Sequence, residues 1–321
     1  MLTSKEIKEY ALNNGADLVG IGSISRFEGT SPEHDPRFIA PKAKSIIGLG
    51  FRVLRGSLRG VEEGTLFYQF PEMGIVHIDE VHAPAVLRRV SCFLEDNGFE
   101  GVVLRSVPDR RRGEDQGTNP ERYPTFKIQY SQPVAPGKPA PDVLMNFNQA
   151  AVICGMGEMG LGGFVLTERF GPLQRFVFIL TDAELEPDPL IQPRLCDHCG
   201  ECIKACPGQA IAQEGKLDEW QCTAYRKGAS AKTNPFLTHK MIAELPEGDK
   251  VNASEKRFDQ ASIMQYVSLL DEAYFPVRFG YSQSVCGVAC QRACLVHLEN
   301  KGILKDEFVN KFRDKPVWHL D

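Results

Sequence analysis

Eight cysteines lie between Cys196 and Cys294, and their spacing is the first chemistry the chain offers. Cys196-x2-Cys199-x2-Cys202-x3-Cys206-Pro207 is the ferredoxin-type spacing for a [4Fe–4S] cluster. Three thiolates at steps of three wrap one corner of a cubane, with backbone N–H groups turned toward its sulfurs. In this arrangement the fourth cysteine, beside proline, serves a second cluster, so the motif demands a partner set. Cys222 and Cys286-x3-Cys290-x3-Cys294 supply it. The crossed assignment is Cys196, Cys199, Cys202 and Cys294 for one cluster, and Cys206, Cys222, Cys286 and Cys290 for the other. Paired zinc knuckles have a different spacing. Cys92 and Cys154 stand in apolar helical contexts and are expected as buried, inert thiols. His198 and His297 flank the motifs and are expected beside a cluster or in solvent, since eight thiols already fill two cubanes.

A second motif, Gly155-x-Gly157-x-x-Gly160, matches a dinucleotide fingerprint, with Asp182 about 20 residues on. That fingerprint needs a strand before the glycines and a helix after them. Here a helical segment precedes them, and Gly162-Gly163 and a strand-like Phe-Val-Leu follow. The glycines instead suit close backbone approach to something large and flat, such as a cofactor face.

The elements that must position these groups read as an alternation. Residues 3–14 form a helix capped by Thr3 or Ser4, with Glu6 in its first turn. Strands are expected at 16–22, 44–51 and 101–105, helices at 80–98 and 148–157, and two strands at 163–182 around a turn at Gly171-Pro172. The alternation implies an α/β arrangement. Residues 106–142, rich in proline and carrying Arg110, Arg111 and Arg112, are expected as a long solvated loop. Glu186 to Pro193 reads as a linker into the cysteine module. Residues 223–285 separate its halves, with a helix at 260–273. Lys plus Arg number 37 against 42 Asp plus Glu, a net charge of −5, which argues against nucleic acid held by bulk positive charge. The N-terminus shows neither an apolar signal core nor a twin arginine, and no apolar run is long enough to span a membrane. The expectation is a cytoplasmic metalloprotein.

The stretch GMGEMGLGGFVLTERFGPLQRFVFILTDAELEPDPLI, followed by CDHCGECIKACPGQAI, resembles the reductive dehalogenase and epoxyqueuosine reductase superfamily. IKEYALNNGADLVGIGSIS and DEVHAPAVLRRVSCFLEDNGFEGVVL are similar to it as well. The resemblance implies an α+β fold: a nitroreductase-like cobamide-binding domain over residues 1–185, then a ferredoxin-like module over 186–321 with an insertion at about 223–285. It implies two [4Fe–4S] clusters and a cobamide (cobalamin), fed by a ferredoxin or flavodoxin and reducing a small organic substrate. Gly155, Gly157, Glu158, Gly160, Gly162, Gly163 and His82 would hold the cobamide. The proton donor would be Asp142, one position out of register with the family's acid, or a tyrosine such as Tyr225, with Tyr123, Tyr130 and Tyr281 as alternatives. Two rival readings are an epoxyqueuosine reductase acting on tRNA, and an electron-transfer or corrinoid-activating protein with no substrate of its own. Cys286-x3-Cys290 departs from the family's C-x2-C spacing by one residue, which predicts a bulge there.

Overall fold

The computed structural model describes residues 2–105, 132–238, 240, 257–258, 284–312 and 318–320. Arg110–Arg112, Tyr123, Tyr130, Tyr281 and the helix expected at 260–273 lie outside them. Helix α1 (Ser4–Asn13) begins with a full capping box. Thr3 accepts the Glu6 N–H, and the Glu6 carboxylate accepts the Thr3 N–H in return. Strand β1 (Leu18–Ser23) follows, then β2 (Ser45–Arg52). Phe70–His82 winds as a π-helix and runs directly into α2 (Ala83–Asp96). Strand β3 (Gly101–Leu104), helix α3 (Phe147–Ile153), the short strands β4 (Glu158–Met159) and β5 (Val165–Leu166), and β6 (Gln174–Thr181) complete the first part.

The main sheet has order β1-β2-β6-β3. Every neighbouring pair is antiparallel, so the alternation of helices and strands did not produce the parallel sheet that an α/β reading suggests. The mixed helix-and-sheet class is the α+β one. The two strands expected around Gly171-Pro172 do not form a hairpin ladder: β5 pairs with β4, and β6 with β2 and β3.

The sheet is buried on both faces. Ile47, Leu49, Val177 and Ile179 face α1 and α2, against Ile7, Val86, Leu87 and Leu94. Each such fully buried aliphatic contributes about 1.5–3 kcal/mol. The opposite face carries Ile46, Phe178 and Leu180 against α3. On that face Gly20 pairs with Gly48 across β1 and β2. A Cβ at Gly20 would strike the Cys154 carbonyl, and one at Gly48 would stand 2.5 Å from the Met156 Sδ. These glycines therefore form a seat on the sheet. Cys154 and Met156 occupy it, and the chain leaves it as the Gly155–Gly163 segment. Cys154 is buried as expected, and burial pushes its thiol far up. Cys92 is only half-buried and accepts from the Arg88 guanidinium at 3.1 Å, because α2 turns that side toward solvent.

The linker after β6 is strapped down. Asp182 accepts the Glu100 N–H, the Leu185 N–H bonds to Ser45 Oγ at 3.0 Å, and Asp188 accepts the Ile21 N–H at 2.8 Å while paired with Lys8. Arg26 donates to the carbonyls of Ile153 and Asp188. The Thr-Asp-x-x-Leu-x-x-Asp stretch is thus a belt across the edge of β1. It delivers residues 194–196 to a fixed place.

Candidate metal centres

The structure brings the eight cysteines together as two groups of four. Cys196, Cys199 and Cys202 stand on a loop and on the short helix α4 (Glu201–Lys204), reached through left-handed turns at His198 (φ 58) and Gly200 (φ 77). Cys294 comes from helix α6 (Ala289–Asn300). The four line one small cavity with Gly160, Leu161, Gly162 and Leu298. Burial, then the neighbouring Cys202, Cys196 and Cys199, pushes the Cys294 thiol far up. The second group gathers Cys206, after α4; Cys222, on helix α5 (Glu219–Arg226); Cys286, before α6; and Cys290, in its first turn. Burial, with Cys286 and Cys206, pushes Cys222 up to about 11. Cys290 is pushed higher still by burial and by Cys286, Cys206 and Cys222. All ten cysteines are free of disulfides. Thiolates crowded in fours repel one another, and a polynuclear cation between them removes that cost, so the donor set fits an iron–sulfur group.

Helix α6 is fixed from several sides. The Phe170-Gly171-Pro172 turn packs on it: Gly171 (φ 55) lies against Leu295 and Leu298. Arg55 forks onto Glu299 at 2.8 and 3.0 Å, and its guanidinium stacks over Phe308 and Phe312 at 4.5 and 4.1 Å. Buried Arg292 donates to the Gly287 carbonyl and pairs with Glu62 at 2.6 Å. The extra residue between Cys286 and Cys290 is absorbed by two consecutive left-handed residues, Gly287 (φ 53) and Val288 (φ 47). Gly287 is needed there because its α-carbon sits on Val61, leaving no room for a Cβ.

The first group lies under the glycine segment. Leu161 N–H donates to Cys196 Sγ at 3.3 Å. Glu158, 2% exposed, accepts the successive N–H groups of Arg194, Leu195 and Cys196 at 2.6, 2.9 and 2.7 Å. The space beside Gly155 is taken by the Pro189 carbonyl, that beside Gly157 by the Leu166 carbonyl, and that beside Gly160 by Leu166 and Phe164. Gly162 lies against the Phe164 ring, and Gly163 (φ 76) faces open space. Of these glycines, Gly160 and Gly162 line the cavity of the first set of cysteines. At the exposed edge of that set, Asp197 accepts from Lys301 at 2.8 Å and bonds the His297 ring at 3.0 Å. Those two bonds hold its carboxyl well below the usual range.

The second group borders a cavity of about 620 Å³, lined among others by Arg59, Glu62, Cys206, Lys232, Cys286 and Trp318. Trp318 Nε1 donates to the Val61 carbonyl at 3.1 Å. Tyr225 is buried on α5, its ring against Gly208 and edge-on to Phe258, and burial raises its phenol. His82 bonds the Gly15 carbonyl at 3.0 Å and stands edge-on to Phe51, holding the α1–β1 turn. Asp142 is exposed in the coil before α3. Neither the Arg55–Glu299 fork nor the Asp197 network has a spacing signal in the sequence.

A 4Fe-4S binding domain model matches residues 189–211. A tetrachloroethene reductive dehalogenase of Desulfitobacterium hafniense is 43% identical over 70 residues, covering 20% of this chain and 12% of that one. An epoxyqueuosine reductase of Listeria monocytogenes is 30% identical over 86 residues, 27% of this chain and 21% of that protein. The chain thus spans a small fraction of the length of the curated relatives it matches. Among solved structures, an epoxyqueuosine reductase from Streptococcus thermophilus aligns with a TM-score of 0.47 at 15% identity, over 94% of this chain and 82% of its own. A catabolic reductive dehalogenase bound to 3-bromo-4-hydroxybenzoic acid aligns with a TM-score of 0.49 at 16% identity, over 84% and 36%. No helix among the described residues is long and apolar enough to cross a membrane. The chain is a homologue of the reductive dehalogenases and epoxyqueuosine reductases and carries a 4Fe-4S binding domain.

Proposed function

We propose that the chain is an iron–sulfur reductase with two [4Fe–4S] clusters, ligated by Cys196, Cys199, Cys202 and Cys294 and by Cys206, Cys222, Cys286 and Cys290. The observation that carries this reading is the convergence of eight free thiols, from three separated stretches of chain, into two groups of four. When bound, the clusters supply one-electron transfer at low potential. His198 and Cys199 are exposed, so the first group is the face offered to a ferredoxin- or flavodoxin-type donor. The second group lies deeper and opens into the cavity beside Cys206 and Cys286. At about 620 Å³ that cavity is in the size range of small-molecule sites, roughly 300–1,000 Å³, and it is where a small organic acceptor would bind.

The cobamide implied by the resemblance is a separate matter. Most of the residues expected to hold it do not offer a corrin face: a side chain's space at Gly155, Gly157, Gly160 and Gly162 is filled by the chain's own atoms, Glu158 faces backbone, and His82 faces Gly15, while Gly163 alone faces open space. We therefore assign it no step. Tyr225, buried near Cys206, and exposed Asp142 remain the proposed proton donors, and neither lines the cavity beside Cys206 and Cys286.

The test is anaerobic purification and reconstitution, with iron and sulfide analysis and electron paramagnetic resonance after reduction. About eight irons per chain and two interacting reduced clusters are expected. Zinc in place of iron, or only half that iron, would overturn the reading. Visible titration of the loaded protein with hydroxocobalamin then asks separately whether a corrinoid binds.

A further inference from the structure

From the geometry around residue 158 we infer that Glu158 is a positioning residue that holds the first cluster at a lower reduction potential than its ligand set alone would give. The inference rests on the two-cluster reading above. Glu158 stands on β4, paired with Leu166 of β5, and is almost wholly buried. Both carboxylate oxygens accept: Oε1 from the N–H of Leu195 and Cys196, Oε2 from the N–H of Arg194 and Leu195. All four contacts are acceptor contacts to backbone N–H groups, the arrangement that suits a carboxylate. No lysine or arginine side chain pairs with it among the described residues, and the Arg194 guanidinium goes to Glu168 instead.

Two effects follow, and both have the same sign. Reducing a cluster adds one negative charge, and a fixed buried carboxylate hydrogen-bonded to the backbone N–H of the ligand residue Cys196 makes that addition harder. The Cys196 N–H, which would otherwise be free to turn toward a cluster sulfur, is taken by Glu158. Hydrogen bonds to sulfur raise a cluster's potential, so their diversion lowers it. The Leu161 N–H, from the same segment, goes to the Cys196 Sγ and limits the second effect without touching the charge. Nothing comparable faces the second group among the described residues. The charges that act on Cys222 are those of Arg226 and Glu219, which oppose each other, and Arg292 is paired with Glu62. The consequence is an ordered pair of potentials, with an electron on the first cluster biased to move on to the second.

The experiment is an anaerobic potentiometric titration of the loaded protein, read by electron paramagnetic resonance, for wild type, Glu158→Gln and Glu158→Asp. Glu158→Gln keeps the shape and removes the charge. It is expected to favour reduction of the first cluster at least tenfold, about 59 mV for a one-electron couple, with the second cluster unmoved. Glu158→Asp keeps the charge on a shorter arm and is expected to stay within that margin of wild type. Equal shifts in both clusters, no shift in Glu158→Gln, or a Glu158→Asp shift as large as that of Glu158→Gln would overturn the proposal. So would loss of the first cluster in Glu158→Gln with an unchanged second, which makes the residue a strut alone. Iron content measured on the same samples separates these outcomes from failure of the two-cluster reading, which would show in the wild type.

Discussion

Replacing Arg55 with Met should be among the most damaging single changes outside the cysteines. The guanidinium and the Glu299 carboxylate are 10% and 4% exposed, and their fork ties the N-terminal part to α6. Removing the arginine leaves a buried carboxylate without its partner, a loss of about 3–5 kcal/mol. The stacking over Phe308 and Phe312 adds about 0.5–1 kcal/mol for each ring. Together the cost is about 4–7 kcal/mol, comparable with the whole stability of many domains. With an unfolding entropy of about 2.1 cal/mol/K per residue over 321 residues, that lowers the melting temperature by about 6–10 °C. The assay is a far-ultraviolet circular dichroism melt of the cluster-loaded protein under anaerobic conditions. The double variant Arg55→Met, Glu299→Met removes both charges together and should recover to within about 2 kcal/mol of wild type, because paired buried charges repay little more than their desolvation. A single variant within about 2 °C of wild type, or a double variant as unstable as the single, would refute the reasoning.

Crossed ligation makes a further prediction. Cys294→Ser should abolish the cluster of Cys196, Cys199 and Cys202, whereas Cys206→Ser, four residues from Cys202, should abolish the other. Paramagnetic resonance distinguishes the surviving signal in each. In the metal-free protein, burial and neighbouring thiols hold Cys222 neutral up to about 11. Iron uptake needs the thiolate, so raising the pH populates the binding form. The initial uptake rate should rise from about pH 7 to about pH 9, and a flat profile would oppose the assignment. Gly48→Ala places a Cβ 2.5 Å from the Met156 Sδ and 3.0 Å from the Phe178 ring. It should cost about 1–3 kcal/mol in a denaturant melt, with partial recovery when Met156→Ala is added.

Local rules were legible where the chain solves a local problem. The Thr3–Glu6 box and the apolar face of α2 can be read directly because caps and helical periodicity involve neighbours in sequence. The cysteine groups were legible because ligand spacing is short-range within each motif. Strand direction was not: helices between strands suggest crossovers, yet β6 inserts between β2 and β3 and makes every pairing antiparallel. The 13-residue π-helix at Phe70–His82 was missed, since its apolar positions do not follow a 3.6-residue period. The glycine spacing signals close backbone approach without naming what is approached. The segment's neighbours among the described residues include Pro189, Leu166 and Cys196, which come from strands and loops whose docking no spacing encodes. Glu158 belongs to the same class: a buried acid beside glycines signals a fixed role, but its partners are backbone groups without a sequence signature.

Cys290 and Cys294 sit one turn apart on α6 and belong to different groups of four. One helical turn is a rise of about 6 Å over four residues, set by backbone hydrogen bonds rather than by packing against other elements. Any tilt or slide of α6 therefore carries a cysteine of each group with it. On the two-cluster reading proposed above, the stiffness of this helix would help to fix the gap that an electron crosses between the clusters. On the same reading, movement of the surrounding elements would change how a donor or acceptor reaches the pair while leaving the step inside it at nearly constant rate.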